Sequence, residues 1–473
     1  MPLTTVRLGD ADGELAAALA ALRAELDVTA AFPAEVEAEA RTAAADATLP
    51  DADLLDVPFF TIDPAGSLDL DQAMHLERTD DGYRVRYAIA DVPAFVRPGG
   101  AIDAEARSRG QTLYLPDGRI PLHPLVISEE AASLLPGQVR GAYVWTFELD
   151  REGRQTAISL GRARIRSTER LDYETVQSSI DAGTAPESLA LLKEIGLVLI
   201  QRERDRGGAS LGRPEQEVRD VGGRYELIRR HPLPAEDWNA QISVLTGMAA
   251  ARIMIEGRVG ILRTMPPPSE ESISWFRRRA AALGTPWPAT VEYGEYLRTL
   301  DPDDPRQLAI MHAAASLFRG AGYTVFEGDV PENSVQSAVG APYAHTTAPL
   351  RRLVDRFVLV VCDALANGRS IPAWARTALP ELPPIMAASD AVAGRADHAA
   401  VSAVEAAVLS SRVGEEFDAT VIAASNGTAQ IQLVDPAVTA SCDGDLEAGA
   451  VITARLVTAD IATGTVRFTA KKS

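Results

Sequence analysis

The sequence predicts a multidomain α+β protein: a short helical region in front, mixed sheets and helices in the middle, and a small β-barrel at the end. Three observations lead there. The chain has 473 residues, too many for one ordinary core, so roughly two to four domains are expected. Its apolar period changes from helical spacing before Pro50 to strand alternation after Phe59. About 60 residues at the end carry only short β-like runs parted by Gly and Asp.

Residues 13–27 (GELAAALAALRAELD) repeat Ala and Leu at helical spacing, Thr29 to Pro33 breaks the pattern, and a second helix is expected over 34–46. Residues 1–50 are therefore read as an N-terminal helical region, two helices that a helix-turn-helix would fit. From Phe59, Leu70, Met74 and Leu76 alternate with Asp69, Asp71 and His75. Asp80-Asp81-Gly82 marks a turn and Tyr83 to Val92 a second strand. Another strand pair is expected from Gly141 to Ile165. Helical spacing returns at 186–206, 236–257, 270–284 and 304–319, and 351–366 reads as a strongly amphipathic helix after Pro349. The Pro-rich stretch 372–384 reads as a linker or wrap-around segment, and 385–412 as an Ala-rich helix. From Gly414 the runs FDATVIAA, TAQIQLV, VITARLV and TVRFTA suggest a closed barrel of the OB type. The expected division is a central domain over 51–383, a helical connector over 384–412 and an OB-fold domain over 413–473.

Composition narrows the function classes. The chain is 46% apolar and 24% charged, as globular proteins are. Its net charge of -20 argues against a non-specific nucleic-acid coat protein, although arginines gather at Arg162, Arg164, Arg166 and Arg170 and again at Arg351, Arg352 and Arg356. No apolar run is long enough to span a bilayer, no signal-peptide order is visible at the front, and two distant cysteines, Cys362 and Cys442, suit a reducing compartment. A cytoplasmic location is expected. No HExxH, CxxC, G-x-S-x-G or Walker A pattern is present, which sets aside the common zinc protease, serine hydrolase and nucleoside-triphosphatase classes.

The most informative segment is Thr61-Ile62-Asp63-Pro64-Ala65-Gly66-Ser67-Leu68-Asp69-Leu70-Asp71-Gln72. Three aspartates at D-x5-D-x-D spacing repel one another, and a divalent cation removes that penalty. Magnesium favours carboxylate oxygens and takes further ligands from substrate phosphates. On a strand, Asp69 and Asp71 would share one face, with Asp63 returning to them across the Pro64–Gly66 turn. Phosphodiester chemistry on a magnesium site is the first expectation.

The residues around the acids carry a resemblance. TIDPAGSLDLDQAM, then YAIADVPAFVRPGGAIDAEARSRGQTLYLPDGRIPLHP, RERDRGGASL, GILRTMPPP and YAHTTAPLRRLVDR follow in the order found in the RNase II/RNase R (RNB) family of 3′-to-5′ exoribonucleases. The chain is identified as resembling that family over roughly residues 32–412, with the terminal barrel matching its OB domain. The resemblance implies an RNB-type catalytic domain that is magnesium-dependent, with manganese as the alternative ion. It would act as a monomer on single-stranded RNA with a free 3′ end, away from membranes. It implies that Asp63, Asp69 and Asp71, with Gln72, bind metal, that Asp69, Asp71 and Arg351 are catalytic, and that Tyr114 clamps the terminal nucleotide. Tyr173, Arg352 and Glu405 are the further RNA contacts it suggests.

Three departures qualify the expectation. Gln72 stands where the family usually has a fourth aspartate. The helix around Asn239 has Asn or Gln where the family often has glutamates, which bears on RNA-versus-DNA discrimination. About 60 residues precede the acid motif in this sequence, too few for the family's tandem cold-shock barrels. Gln72 and the acidic charge together define the rival expectation, an RNA-binding protein with a degenerate nuclease site.

Overall fold

The alternation that begins at Phe59 closes on itself. The computed structural model describes residues 4–7, 12–209, 215–220, 225–425, 427–433, 435–436 and 438–470. In it, strands Phe59–Ile62, Gln72–Arg78, Gly82–Ala90, Val139–Asp150 and Gln155–Leu171 form a closed barrel. Neighbours are antiparallel, except that Phe59–Ile62 lies parallel to Gln155–Leu171 and completes the ring. Met74, Tyr87, Trp145 and Leu160 fall in one cross-strand row, and Leu76, Val85 and Phe147 in the next row on the same face. All are buried, and burying a side chain such as Phe147 contributes on the order of 2–3 kcal/mol. The opposite face carries Ala73, Ala88, Ala142, Val144 and Ala163 in a second core.

The bulky face packs against helices Glu187–Asp205, Pro234–Glu256 and Leu353–Ala366. The first two approach closely because position 196 is glycine: a Cβ there would collide with Cβ of Trp238. That contact fixes the helix carrying Asn239 and Ser243. The Pro-rich segment is no linker. Ala373–Ala378 is helical, Ala375, Ala378 and Leu379 are core residues, and Trp374 meets Phe357 edge-on at 5.5 Å. Its prolines start helices instead of breaking them, since the first helical turn needs no amide donor.

The two front helices serve different cores. Leu15 and Leu19 of Asp12–Glu25 pack against Ala403, Val404 and Ala407 of the connector helix Leu382–Ser410. Val36 and Ala40 of Ala34–Asp46 join the barrel core. Among the described residues they share no hydrophobic cluster with each other, unlike the helices of a helix-turn-helix. Thr4–Arg7 pairs with Tyr225–Arg230, which pairs with Glu215–Asp220; four residues give no readable alternation, and the partner lies over 200 positions away.

The terminal barrel has strands Glu416–Ser425, Thr428–Leu433, Thr439–Asp443, Val451–Asp460 and Thr465–Ala470. Four match the expected runs. The fifth, Thr439–Asp443, is too short and polar to stand out, yet its parallel pairing with Thr465–Ala470 closes the ring. The only barrel rings, Phe417 and Phe468, are buried against each other at 5.6 Å, so neither offers a stacking surface. Among the described residues no helix is long and apolar enough to cross a membrane.

Candidate active site

The acids leave the barrel on the loop after Phe59–Ile62. The amide of Asp63 donates to the carbonyl of Leu171 at 3.2 Å, and that of Ser67 to the carbonyl of Pro64 at 3.1 Å. Gly66 takes φ +87°, a value at which a side chain would be strained. Ser133 pins the far end: its hydroxyl accepts from the Leu70 amide at 3.0 Å and donates to the Leu68 carbonyl at 2.6 Å. The strand starts only at Gln72. Asp69 and Asp71 are therefore placed by loop anchors, and the expected strand alternation does not align them.

A second segment, His345 to Arg352, crosses this loop. The Leu350 amide donates to Oδ1 of Asp71 at 2.8 Å. The Ala348 amide donates to Oδ1 of Asp355 at 2.7 Å. Arg351 is left 42% exposed with Nε 3.9 Å from Oδ2 of Asp71, so the guanidinium faces both the acids and open space. Arg352 does not share that role. It forms a two-pronged pair with Asp355 at 3.0 and 2.9 Å, and the expected RNA contact is corrected to a structural clamp at the helix start. His345 is half-buried; its Nδ1 lies 2.8 Å from the Tyr323 hydroxyl. Burial first, and then Arg352, hold the imidazole well below its ordinary pKa, so it is neutral.

The third element is the ribbon Leu113–Leu115 and Gly118–Ile120, where Tyr114 pairs with Arg119 across the strands. The Thr112 amide donates to the Arg351 carbonyl at 2.9 Å, tying this ribbon to the arginine. Tyr114 is 55% exposed, while its hydroxyl is pushed up to about 12 by burial and then by Asp69. An open ring with its polar end among the acids fits a stacking platform. Arg119 donates to Asp69 at 2.6 Å and also grips Glu129. The sequence reading missed it; the DG turn that sets it opposite Tyr114 was the available signal.

Tyr173 and Gln72 complete the floor. The Tyr173 hydroxyl accepts from Nδ2 of Asn239 at 2.9 Å and is pushed up to about 12 by burial and then by Asp63. Gln72 is held at both ends, its Nε2 donating to the Thr347 carbonyl at 2.7 Å and its Oε1 accepting from Tyr87 at 2.6 Å. Both ends of the amide expected as a metal ligand are thus already engaged. Glu405 is not brought to the acids. It lies on the connector helix and accepts from the Thr439 amide of the terminal barrel, and burial pushes it up to about 7.

Burial, then Asp69, raise Asp63 to about 7, against the pull of Arg351 and Arg170. Burial raises Asp71 well above the carboxylate range although Arg351 and the Leu350 amide oppose it. Oδ2 of Asp63 is buried with no hydrogen-bond partner among the described residues. Two desolvated carboxyls and one orphaned oxygen fit a hard divalent cation, which would remove both penalties. The cage is not closed as it stands: among the described residues no three acids, histidines or cysteines are gathered tightly enough to hold an ion, Asp69 being drawn onto Arg119.

Comparison with known proteins follows the same outline. A family model for the RNB domain matches residues 52–367, and one for the RNase II-type exonuclease C-terminal S1 domain matches residues 415–471. The chain is 30% identical over 322 residues to ribonuclease R of Escherichia coli (strain K12), a match that takes in 64% of this chain and 39% of that protein. The chain thus spans about two fifths of the length of that relative. Among solved structures, ribonuclease R of Mycoplasma genitalium in its apo form superposes with a TM-score of 0.86 at 19% identity, covering 97% of this chain and 78% of the other. The same protein has been solved with ribose-methylated single-stranded RNA and with double-stranded RNA. Yeast Ssd1, a pseudonuclease, gives a TM-score of 0.70 at 19% identity, covering 83% and 50%. At these identities the structural likeness concerns the fold. With the RNB model spanning residues 52–367 and the S1 barrel following it in order, the chain belongs to the RNB domain family.

Proposed function

We propose that the chain is a 3′-to-5′ exoribonuclease that hydrolyses single-stranded RNA to nucleoside 5′-monophosphates, with magnesium as its ion and manganese as the substitute. The observation that carries this is the crossing of two segments some 280 positions apart, which sets Arg351 against Asp71 and within electrostatic reach of Asp63, with Asp69 within reach of both acids. Nucleases of this family are generally dependent on divalent metal. Asp63, Asp69 and Asp71 would hold the ion, which supplies Lewis-acid charge at the phosphate. The chain's own groups account for the rest. Asp71, aimed by the Leu350 amide, takes a proton from the attacking water as its oxygen bonds to phosphorus. Arg351 sets its planar fork against the non-bridging oxygens, where charge builds up. The bond to the 3′ oxygen breaks, that oxygen takes a proton from solvent water, and Asp71 returns its own proton to solvent. Tyr114 stacks the terminal base without reading its identity.

We further propose that the chain acts as a monomer in the cytoplasm; both cysteines are free and buried, in keeping with a reducing compartment. The test uses single-stranded RNA labelled at the 3′ or the 5′ end, incubated with magnesium. Expected is immediate release of labelled mononucleotide from the 3′-labelled strand and progressive shortening of the 5′-labelled one. Internal cuts, or no hydrolysis at any magnesium or manganese concentration, would overturn it. A second reading, an RNA-binding protein with a degenerate site, is favoured by Gln72 and by the likeness to a pseudonuclease. It expects tight RNA binding with no turnover.

A further inference from the structure

Gln72 directly follows Asp71 at the end of the acid run and carries no charge. It begins the strand Gln72–Arg78, one residue after Asp71. Its Nε2 donates to the carbonyl of Thr347 at 2.7 Å across 275 positions. Its Oε1 accepts from the Tyr87 hydroxyl at 2.6 Å, and Oγ of Ser243 lies 2.8 Å from the same hydroxyl. Tyr87 is fully buried and Thr347 nearly so, so water cannot stand in freely for either bond. Turning the amide toward an ion would break both. The Thr347 carbonyl belongs to the segment that carries Arg351, and that segment is also held by the Leu350 amide donating to Asp71 and the Ala348 amide donating to Asp355.

A carboxylate at position 72 behaves differently for a chemical reason. It has no proton to give, so it cannot hold the Thr347 carbonyl. Two oxygens would face each other there unless a cation lay between them. Aspartate is also one methylene shorter. An amide holds the Arg351 segment in place with no cation present, whereas a carboxylate makes that placement depend on one.

We propose that Gln72 is a positioning residue: in place of a cation-binding carboxylate it straps the Arg351 segment to the acid strand, leaving ion binding to Asp63, Asp69 and Asp71. Its catalytic consequence rests on the nuclease reading, but the strap itself does not. The resting Arg351 segment is therefore preformed, and cation binding and arginine placement are uncoupled in this chain.

The experiment is hydrogen exchange on the full chain, with and without magnesium, followed over the peptide containing residues 346–352, alongside calorimetric titration of magnesium. Wild type is expected to exchange that peptide at the same rate, within about twofold, in both conditions. Gln72→Glu is expected to exchange it roughly tenfold faster without magnesium and to recover when it is added. Gln72→Ala is expected to exchange it faster in both conditions while binding magnesium with a Kd within about twofold of wild type. If Gln72→Ala fails to fold, Gln72→Glu, which keeps the reach and the Tyr87 contact, reads the same coupling. A loss of magnesium affinity of about tenfold or more in Gln72→Ala would identify Gln72 as a ligand and overturn the proposal. So would unchanged exchange over 346–352 in both variants. These readouts need no RNA hydrolysis, so an inactive enzyme overturns the nuclease reading and leaves the strap standing. If the enzyme is active, Gln72→Ala lowers kcat by about tenfold or more and leaves KM for RNA within about twofold.

Discussion

The Leu350 amide donates to Oδ1 of Asp71 at 2.8 Å, joining positions 279 residues apart in the chain. That bond aims one carboxyl oxygen at the backbone and leaves the other, Oδ2, facing Arg351. Asparagine at position 71 can still present its carbonyl oxygen to Leu350, but it cannot take a proton or carry charge. Asp71→Asn is therefore expected to fold with nearly unchanged thermal stability and to lose hydrolysis by on the order of 10²–10³-fold or more. Circular dichroism melting and single-turnover assays check the two halves. Equal rates for wild type and variant would remove Asp71 from the chemistry.

The Arg351 side chain is 42% exposed and, among the described residues, comes no nearer to a carboxylate than 3.9 Å from Asp71, whereas its neighbour Arg352 is clamped on Asp355. Arg351→Lys keeps the charge but loses the planar fork. Its kcat is expected to fall by roughly 10²-fold with RNA affinity within several-fold of wild type. Arg352→Lys is expected to act mainly on stability, because it breaks the two-pronged pair at the start of helix Leu353–Ala366. Comparing melting temperature with kcat for the two variants separates these roles.

Tyr114 offers an open ring on the ribbon Leu113–Leu115. Removing it in Tyr114→Ala is expected to weaken single-strand binding by about 1–3 kcal/mol, roughly 5- to 150-fold in Kd. Tyr114→Phe keeps the π face and is expected to bind within about twofold of wild type. Fluorescence anisotropy with short labelled RNA, on the Asp71→Asn background to prevent turnover, measures both.

Asp63 stays protonated up to about pH 7 because it is buried and faces Asp69, against an ordinary value of 3.8. Between those values the native chain holds a proton that the unfolded chain has released. Stability of the metal-free protein therefore falls as pH rises from about 4 to 7, a contribution of at most roughly 4 kcal/mol. A divalent cation binds the ionised form, so its apparent affinity is expected to rise with pH through the same window and its binding to release protons at pH 6. Calorimetry in buffers of different ionisation enthalpy counts those protons. Asp63→Asn is expected to reduce the count and flatten the pH slope of melting.

Glu405 is raised to about 7 by burial between the connector helix and the terminal barrel. A glutamine in its place would carry no charge to desolvate. Glu405→Gln is expected to raise the melting temperature at pH 8 and leave RNA affinity within about twofold of wild type. A clear loss of RNA binding would return Glu405 to the RNA surface.

By itself the sequence determined the class of fold, most helix positions, four of the five strands of the terminal barrel, and the identity of Asp63, Asp69, Asp71, Arg351 and Tyr114 as the groups to watch. These were legible because local period, turn residues and an ordered series of motifs are written in consecutive positions. Tertiary structure alone decided what each group does with its partners. Arg351 and Arg352 are adjacent and chemically identical, yet one points to the acids and the other closes on Asp355. Arg119 became a member of the site only when the ribbon folded it onto Asp69. Gln72 looked like a substituted metal ligand until the Thr347 carbonyl, 275 positions away, claimed its amide. The physical reason is common to all three. A side chain's chemistry is set by its type, but its partner is set by which distant backbone the packing brings within hydrogen-bond reach.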